Sequence, residues 1–242
     1  FVSIMFANNE IGSIQNIKQL VEIVREKEKQ INKKIFFHTD AVQAIGKIPV
    51  NVRDLGVDLL SISGHKFNSP KGIGALYVNE NVILEPLLDG GGQERQNRSG
   101  TENVPSIVGL GKAIEIAESN RENFYNHTND LSNRFISLLR NKIPDFVLHS
   151  PKNGLGNIVN FSIPNIQGEP ILIALDFKGI MASSGSACST ASIEPSHVLL
   201  AKGVEEKLAL GSVRLSFSNS NTFDEIDYIV ESIDEVCRDL KS

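Results

Sequence analysis

The sequence predicts an α/β fold: a mostly parallel sheet with helices on both faces, followed by a smaller α+β unit. Two patterns carry that reading. In the first half, short and nearly continuous apolar runs alternate with segments of helical periodicity, as expected of strands buried on both faces. In the second half the runs alternate apolar and polar residues, and a strongly amphipathic helix closes the chain. We place the boundary so that residues 1–121 form the larger domain and residues 122–242 the smaller one.

Val2 to Ala7 reads as the first strand. Ile14, Ile17, Leu20, Val21 and Val24 then recur at helical spacing, followed by a charged tail from Arg25 to Lys34. Ile35–His38, Asp58–Ser63 and Gly74–Val78 read as further strands. The triplet Gly90-Gly91-Gly92 opens a polar loop containing Arg95, Arg98 and Thr101. A single long helical stretch is expected from Val104 to about Arg140, ending before Pro144 and the turn-forming Ser150–Gly154. Asn157–Ile163 and Ser212–Phe217 read as half-buried strands, with helices over Pro170–Leu175 and Ile193–Lys202. Thr222-Phe223-Asp224-Glu225 matches a capping box. Behind it, Ile226, Ile229, Val230, Ile233, Val236, Cys237 and Leu240 form an apolar stripe.

A net charge of −5 leaves no basic excess for gripping nucleic acid. No apolar run approaches the roughly 20 residues that span a bilayer. Two cysteines are too few for a disulfide framework, which favours a reducing, cytoplasmic setting. The chain opens directly on a buried-strand pattern, and we expect it to be a fragment whose upstream part, with any targeting signal, is missing.

Polar clusters follow the apolar strands, where open α/β sheets bind ligands. They are Asn8-Asn9-Glu10, His38-Thr39-Asp40-Ala41-Val42-Gln43 and Ser63-Gly64-His65-Lys66. Together they offer hydroxyl and imidazole donors for a phosphate, a carboxylate for a cationic ring nitrogen and an amine for an aldehyde. Pyridoxal phosphate needs that set. Singly, each has a plainer reading: Asp40 as a turn residue, Lys66 as a surface charge, His65 as a structural histidine. Cys188 lies in the run Ser183-Ser184-Gly185-Ser186-Ala187-Cys188-Ser189, among small residues that suit an exposed and movable thiol. Cys237, on its apolar stripe, reads as a core residue. Arg214 sits in a strand among apolar neighbours and needs an anionic partner, either a structural carboxylate or that of a substrate. No metal site is expected.

These motifs, with Pro70-Lys71-Gly72-Ile73-Gly74, Gly90-Gly91-Gly92-Gln93-Glu94-Arg95, Arg98-Ser99-Gly100-Thr101 and Gly211–Ser216, resemble the cysteine desulfurases of the NifS/IscS type. Those enzymes belong to the class V aminotransferases, within the fold-type I pyridoxal-phosphate superfamily. The resemblance runs over essentially the whole chain, and its Ser-Ser-Gly-Ser-Ala-Cys loop is the most specific part. It implies that Lys66 carries the cofactor as a Schiff base, that Asp40 pairs with the ring nitrogen and that Gln43 bonds the ring oxygen. Ser63 and His65 would hold the phosphate, and Thr101 would reach the phosphate of a partner subunit in a homodimer. Asn9 and Arg214 would bind the carboxylate of L-cysteine. Lys66, His65 and Cys188 are the implied catalytic groups, Cys188 taking the sulfur as a persulfide while alanine leaves. The sulfur would then pass to an acceptor protein such as an iron–sulfur scaffold.

The sequence departs from that family pattern in places. The charged segment Arg25–Lys34 is longer than expected, and Ser69 stands where glycine usually precedes the Pro-Lys-Gly turn. A related lyase or aminotransferase, for example one acting on selenocysteine, and an inactive fragment are the alternative readings.

Overall fold

The computed structural model describes residues 1–185 and 194–241, which fall into two compact units. The first comprises Phe1–Ala7 and Gln15–Arg121, the second Asn8–Ile14 and Glu122–Ser242. The segment Asn8–Ile14, placed in the larger domain by the sequence reading, thus packs with the second unit.

In the first unit, strands β1 (Val2–Met5), β2 (Phe37–Asp40) and β3 (Leu59–Ser63) pair in parallel, and β4 (Gly74–Val78) adds antiparallel to β3. Helix α1 (Ile17–Ile31) links β1 to β2 and is capped by the Asn16 side chain on Gln19 N. The short helix α2 (Val52–Leu55), which lacks the length for a periodic signal, links β2 to β3.

The charged tail of α1 has a structural role. Asp58, buried at the head of β3, accepts from Arg25 Nη2 at 2.7 Å, from Phe37 N at 2.7 Å and from Lys34 Nζ at 3.0 Å. Arg25 also donates to Glu28 Oε1 and to the Ile35 carbonyl, while Ile35 N donates to Glu28. One carboxylate thus ties the end of α1 to the starts of β2 and β3. Burial alone would raise the Asp58 pKa, but the donors Arg25, Phe37 and Lys34 hold it below the ordinary carboxylate value.

The expected helix over 104–140 is two helices, α3 (Val104–Ser119) and α4 (Arg121–Lys142). The hydroxyl of Ser119 and the amide of Asn120 both donate to the Ile116 carbonyl, capping the end of α3 with side-chain bonds.

The second unit holds an antiparallel sheet of β5 (Val147–Leu148), β6 (Ile158–Ser162) and β7 (Ser212–Ser216). Around it lie α4, α5 (Gly168–Phe177), α6 (His197–Ala201), α7 (Glu206–Leu210) and α8 (Phe223–Lys241). The core joins Phe135, Leu139, Phe161, Leu175, Val213, Ile226 and Ile233. The half-buried character expected of β6 does not hold, because every residue of it is buried, including Asn160 and Ser162. Of its two polar residues, Ser162 is satisfied inside the unit rather than by water, whereas Asn160 is buried with its amide unbonded. Ser162 Oγ donates to the Leu208 carbonyl at 2.6 Å and lies 2.7 Å from His149 Nε2. A hydroxyl has one proton, so Nε2 carries the proton between them. The capping box forms, with Glu225 accepting from Thr222 N and Thr222 Oγ1 accepting from Glu225 N. Cys237 is buried, and burial pushes its thiol up to about 11, as befits an unreactive core cysteine.

Two stability predictions arise from these contacts. Asp58→Ala leaves the Phe37 N–H without its acceptor and Arg25 and Lys34 with only Glu28 as a carboxylate partner, and should cost about 2–3 kcal/mol in urea unfolding. His149 is held neutral, its pKa pushed down to about 4 by burial first and by Lys202 second. The unfolded chain binds that proton near the ordinary value of 6.5, so stability from this site falls as pH drops from 6.5 to 4. The loss should be on the order of 3 kcal/mol, and absent from the pH profile of a folded His149→Gln variant.

Candidate cofactor and substrate site

Parallel pairing sets the ends of β2 and β3 side by side. Asp40, the last residue of β2, is in register with Ser61, two residues before Ser63 at the end of β3. Residues in register and residues two apart on a strand share a face, so Asp40, Ser61 and Ser63 point the same way. His38 lies on that face too, its Nε2 2.8 Å from Ser61 Oγ and its Nδ1 2.8 Å from Ser3 Oγ. This polar row across three strands escaped the sequence reading, since its members lie far apart in the chain.

Asp40 Oδ1 accepts from Val42 N at 2.8 Å, so the turn-residue reading of Asp40 is part of the answer. That bond fixes the carboxylate at the sheet edge, and Oδ2 takes no hydrogen bond among the described residues. Ser63 Oγ lies 2.9 Å from His65 Nδ1, pairing the two groups expected to hold a phosphate.

Lys66 projects from a single 3-10 turn, Gly64–Phe67, directly after β3. The turn closes through Ser69 N to the Gly64 carbonyl at 3.1 Å, and Asn68 takes the left-handed conformation at φ 64°. Phe67 anchors it against Leu110 and Ala113 of α3, leaving Lys66 and His65 exposed. A Cβ at position 64 would meet Ser69 Cβ at 2.8 Å, so with serine at 69 position 64 must be glycine.

Gln43 lies in the turn after β2, and Lys47 Nζ donates to its Oε1 at 2.6 Å and to its main-chain carbonyl at 3.2 Å. Lys47 is buried, and its pKa is pushed down to about 8 by burial first and by the charge of Lys66 second. The like-charge effect brings Gln43, Lys47 and Lys66 into one neighbourhood. The exposed Lys66 amine, following the Ser63–His65 hydroxyl–imidazole pair in the chain, fits an anionic, aldehyde-bearing ligand, and pyridoxal phosphate is such a molecule. Lys47 was absent from the sequence reading; the available signal was its spacing of four residues from Gln43.

Thr101 stands exposed in the loop before α3, apart from these groups, and contributes to no contact described for them. In the second unit, Arg214 Nη1 donates to the Asn9 carbonyl at 3.0 Å, so these two expected residues meet through the Asn9 main chain. Arg214 pairs in register with Asn160, which is fully buried with neither amide atom hydrogen-bonded. Glu10, given no role by the sequence reading, is buried and accepts from Ser196 Oγ at 2.5 Å. Cys188 lies outside the described residues. Among the described residues there is no His/Cys/Asp/Glu cluster able to hold a metal ion, and no helix long and apolar enough to cross a membrane.

Comparison with known proteins agrees with this chemistry. A cysteine desulfurase IscS of Methanosarcina thermophila is 49% identical over 249 residues, covering 100% of this chain and 58% of that protein. A solved structure of a NifS-like protein superposes with a TM-score of 0.88 at 40% identity, over 98% of this chain and 61% of the other. The structure of SspA in complex with cysteine superposes with a TM-score of 0.71 at 34% identity, over 92% and 60%. This chain therefore spans about three-fifths of the length of such relatives. The family profile for class-V aminotransferases matches residues 1–229. A lysine on the turn after one strand, an acid ending the strand beside it and a match over nearly the full chain lead to one assignment: the chain belongs to the aminotransferase class-V family.

Proposed function

We propose that this chain carries the cofactor lysine and the acceptor thiol of a pyridoxal-phosphate-dependent cysteine desulfurase, which converts L-cysteine to L-alanine. The observation that carries the reading is the gathering of Asp40, Ser63, His65 and Lys66 at one end of two parallel strands. Similarity to proteins named cysteine desulfurase, and to SspA with cysteine bound, supports the choice of reaction and substrate.

When bound, pyridoxal phosphate supplies an electron sink for carbanion chemistry at the substrate α-carbon. Asp40, its Oδ1 fixed by Val42 N, would offer its second carboxylate oxygen to the ring nitrogen, where its charge would favour the protonated form. The Ser63–His65 pair supplies donors to the phosphate. Lys66 Nζ would hold the aldehyde end of the cofactor and, as a free amine, would accept the substrate α-proton. Arg214 and Asn160, opposite one another on β6 and β7, offer a guanidinium and an unspent amide to the substrate carboxylate, with Asn9 alongside. The Cys188 Sγ thiolate would attack the substrate sulfur, and the substrate Cβ–S bond breaks as the S–S bond forms. The electron pair of the broken bond stays with the carbon skeleton, which takes up protons and leaves as alanine while Cys188 is left as a persulfide. An acceptor protein, such as an iron–sulfur scaffold, removes that sulfur.

Exposed apolar side chains at Ile83, Leu87, Val104 and Val108 flank the loop of Thr101. They support a homodimer in which Thr101 serves the partner's cofactor. A cytoplasmic location fits a persulfide chemistry that needs reduced thiols.

Borohydride reduction of the protein with pyridoxal phosphate should leave a stable mass adduct on Lys66, and Lys66→Ala should abolish it. An adduct at another lysine would contradict the assignment. Cys188→Ala should keep the adduct at Lys66 while alanine formation from cysteine drops to background. Full alanine formation in that variant would remove Cys188 from the mechanism.

A further inference from the structure

The role of Gln43 depends on which end of its amide meets the cofactor, and Lys47 decides that. A lysine nitrogen carries only donors, so the Gln43 atom 2.6 Å from Lys47 Nζ must be the carbonyl oxygen. With that oxygen occupied, the amide nitrogen is the part of Gln43 left to meet a ligand, and it can only donate. A phenolate oxygen on a pyridine ring requires a donor there; a side chain turned the other way would set two acceptors against each other.

Lys47 reaches this position because the chain turns back at Gly46. Its φ is +71°, and a Cβ there would lie 2.8 Å from Ala117 Cβ on α3. The turn is thus pressed onto the helix, and Lys47 is directed inward with only 8% of its surface exposed. It forms no ion pair among the described residues, and its burial beside Lys66 lowers its pKa. An apolar residue of the same length would cost the fold less, because a buried ammonium without a carboxylate is unfavourable. Its return is a charge-assisted hydrogen bond that fixes one amide.

We propose that Lys47 is a positioning residue of the cofactor site, holding the carboxamide oxygen of Gln43 so that its nitrogen donates to the ring oxygen of pyridoxal phosphate. This rests on the function proposed above, and its test separates the two. The complete protein is prepared with Lys47→Met, with Gln43→Ala, with both and with neither. Pyridoxal phosphate affinity is read from the visible absorbance of the Lys66 adduct, and each variant is melted without cofactor. Lys47→Met should weaken cofactor binding about tenfold where Gln43 is present, the loss of about one well-made hydrogen bond. In the Gln43→Ala background the same change should weaken it no more than about twofold, as expected when the partner is already gone. The melting temperature without cofactor should stay level or rise, which a purely structural lysine would not allow.

Equal weakening in both backgrounds would mean that Lys47 acts by its own charge, and would overturn the proposal. So would a Lys47→Met protein that binds the cofactor as tightly as the parent. If Lys47→Met does not fold, Lys47→Gln, too short to reach Gln43, carries the same comparison. Failure of the unaltered protein to form any adduct at Lys66 would remove the proposed function and this inference together.

Discussion

A slip of one residue between β2 and β3 would turn Asp40 to the opposite face from Ser61 and Ser63. The register of this pair is therefore the constraint on which the candidate site depends. It is held from below by Asp58. The Asp58 amide donates to the Phe37 carbonyl at 2.9 Å, and its carboxylate accepts from Phe37 N. Both bonds lie where the two strands begin, and both fail in any other alignment. Arg25 and Lys34 neutralise the carboxylate, so the long charged tail of α1 helps to keep that register. A surface-looking charge run at one end of a sheet thereby sets the geometry of the polar groups at its other end.

At the ligand end, the arrangement is governed by close approach. The turn that carries Lys66 folds tightly because Gly64 has no side chain and Ser69 fills the space. Phe67 packs inward against α3, which leaves its chain neighbours His65 and Lys66 facing out. Alternation of buried and exposed residues in one short turn thus separates the anchor from the chemistry. The same device recurs at Gly46, where contact with α3 turns Lys47 inward. Helix α3 braces both turns through Ala113, Ala117 and Leu110.

Much of this was legible in the sequence. The four strands of the first unit were found because their apolar runs are short and bounded by polar residues at both ends. The residues of the expected site were proposed from their clustering at the ends of those runs. What stayed hidden depends on which atoms meet. The break at Asn120 comes from two side chains bonding one carbonyl, which apolar periodicity does not register. The burial of Ser162 on β6 depends on its hydrogen bonds with His149 and Leu208, 13 and 46 residues away. Lys47 looked like any lysine in a turn, since nothing in its neighbours announces that its ammonium is buried. The segment Asn8–Ile14 follows β1 directly in the chain, so its packing with residues beyond Glu122 was not evident from order alone.

The two cysteines and the two lysines together show how placement sets reactivity. Cys237 and Lys47 are both buried, and burial disfavours the charged form of each: it raises the thiol to about 11 and lowers the amine to about 8. For Cys237 the consequence is inertness, because a thiol that does not ionise is a poor nucleophile. For Lys47 the consequence differs, because an ammonium near the neutral range stays largely protonated and keeps its donors. Its carbonyl partner on Gln43 is held by that charge, while the charge of Lys66 adds to the cost of keeping Lys47 protonated. An anionic ligand in the same neighbourhood relieves that cost. Repulsion between the two lysines thus becomes binding free energy when an anion arrives, which is the electrostatic reason for keeping a second lysine near the first.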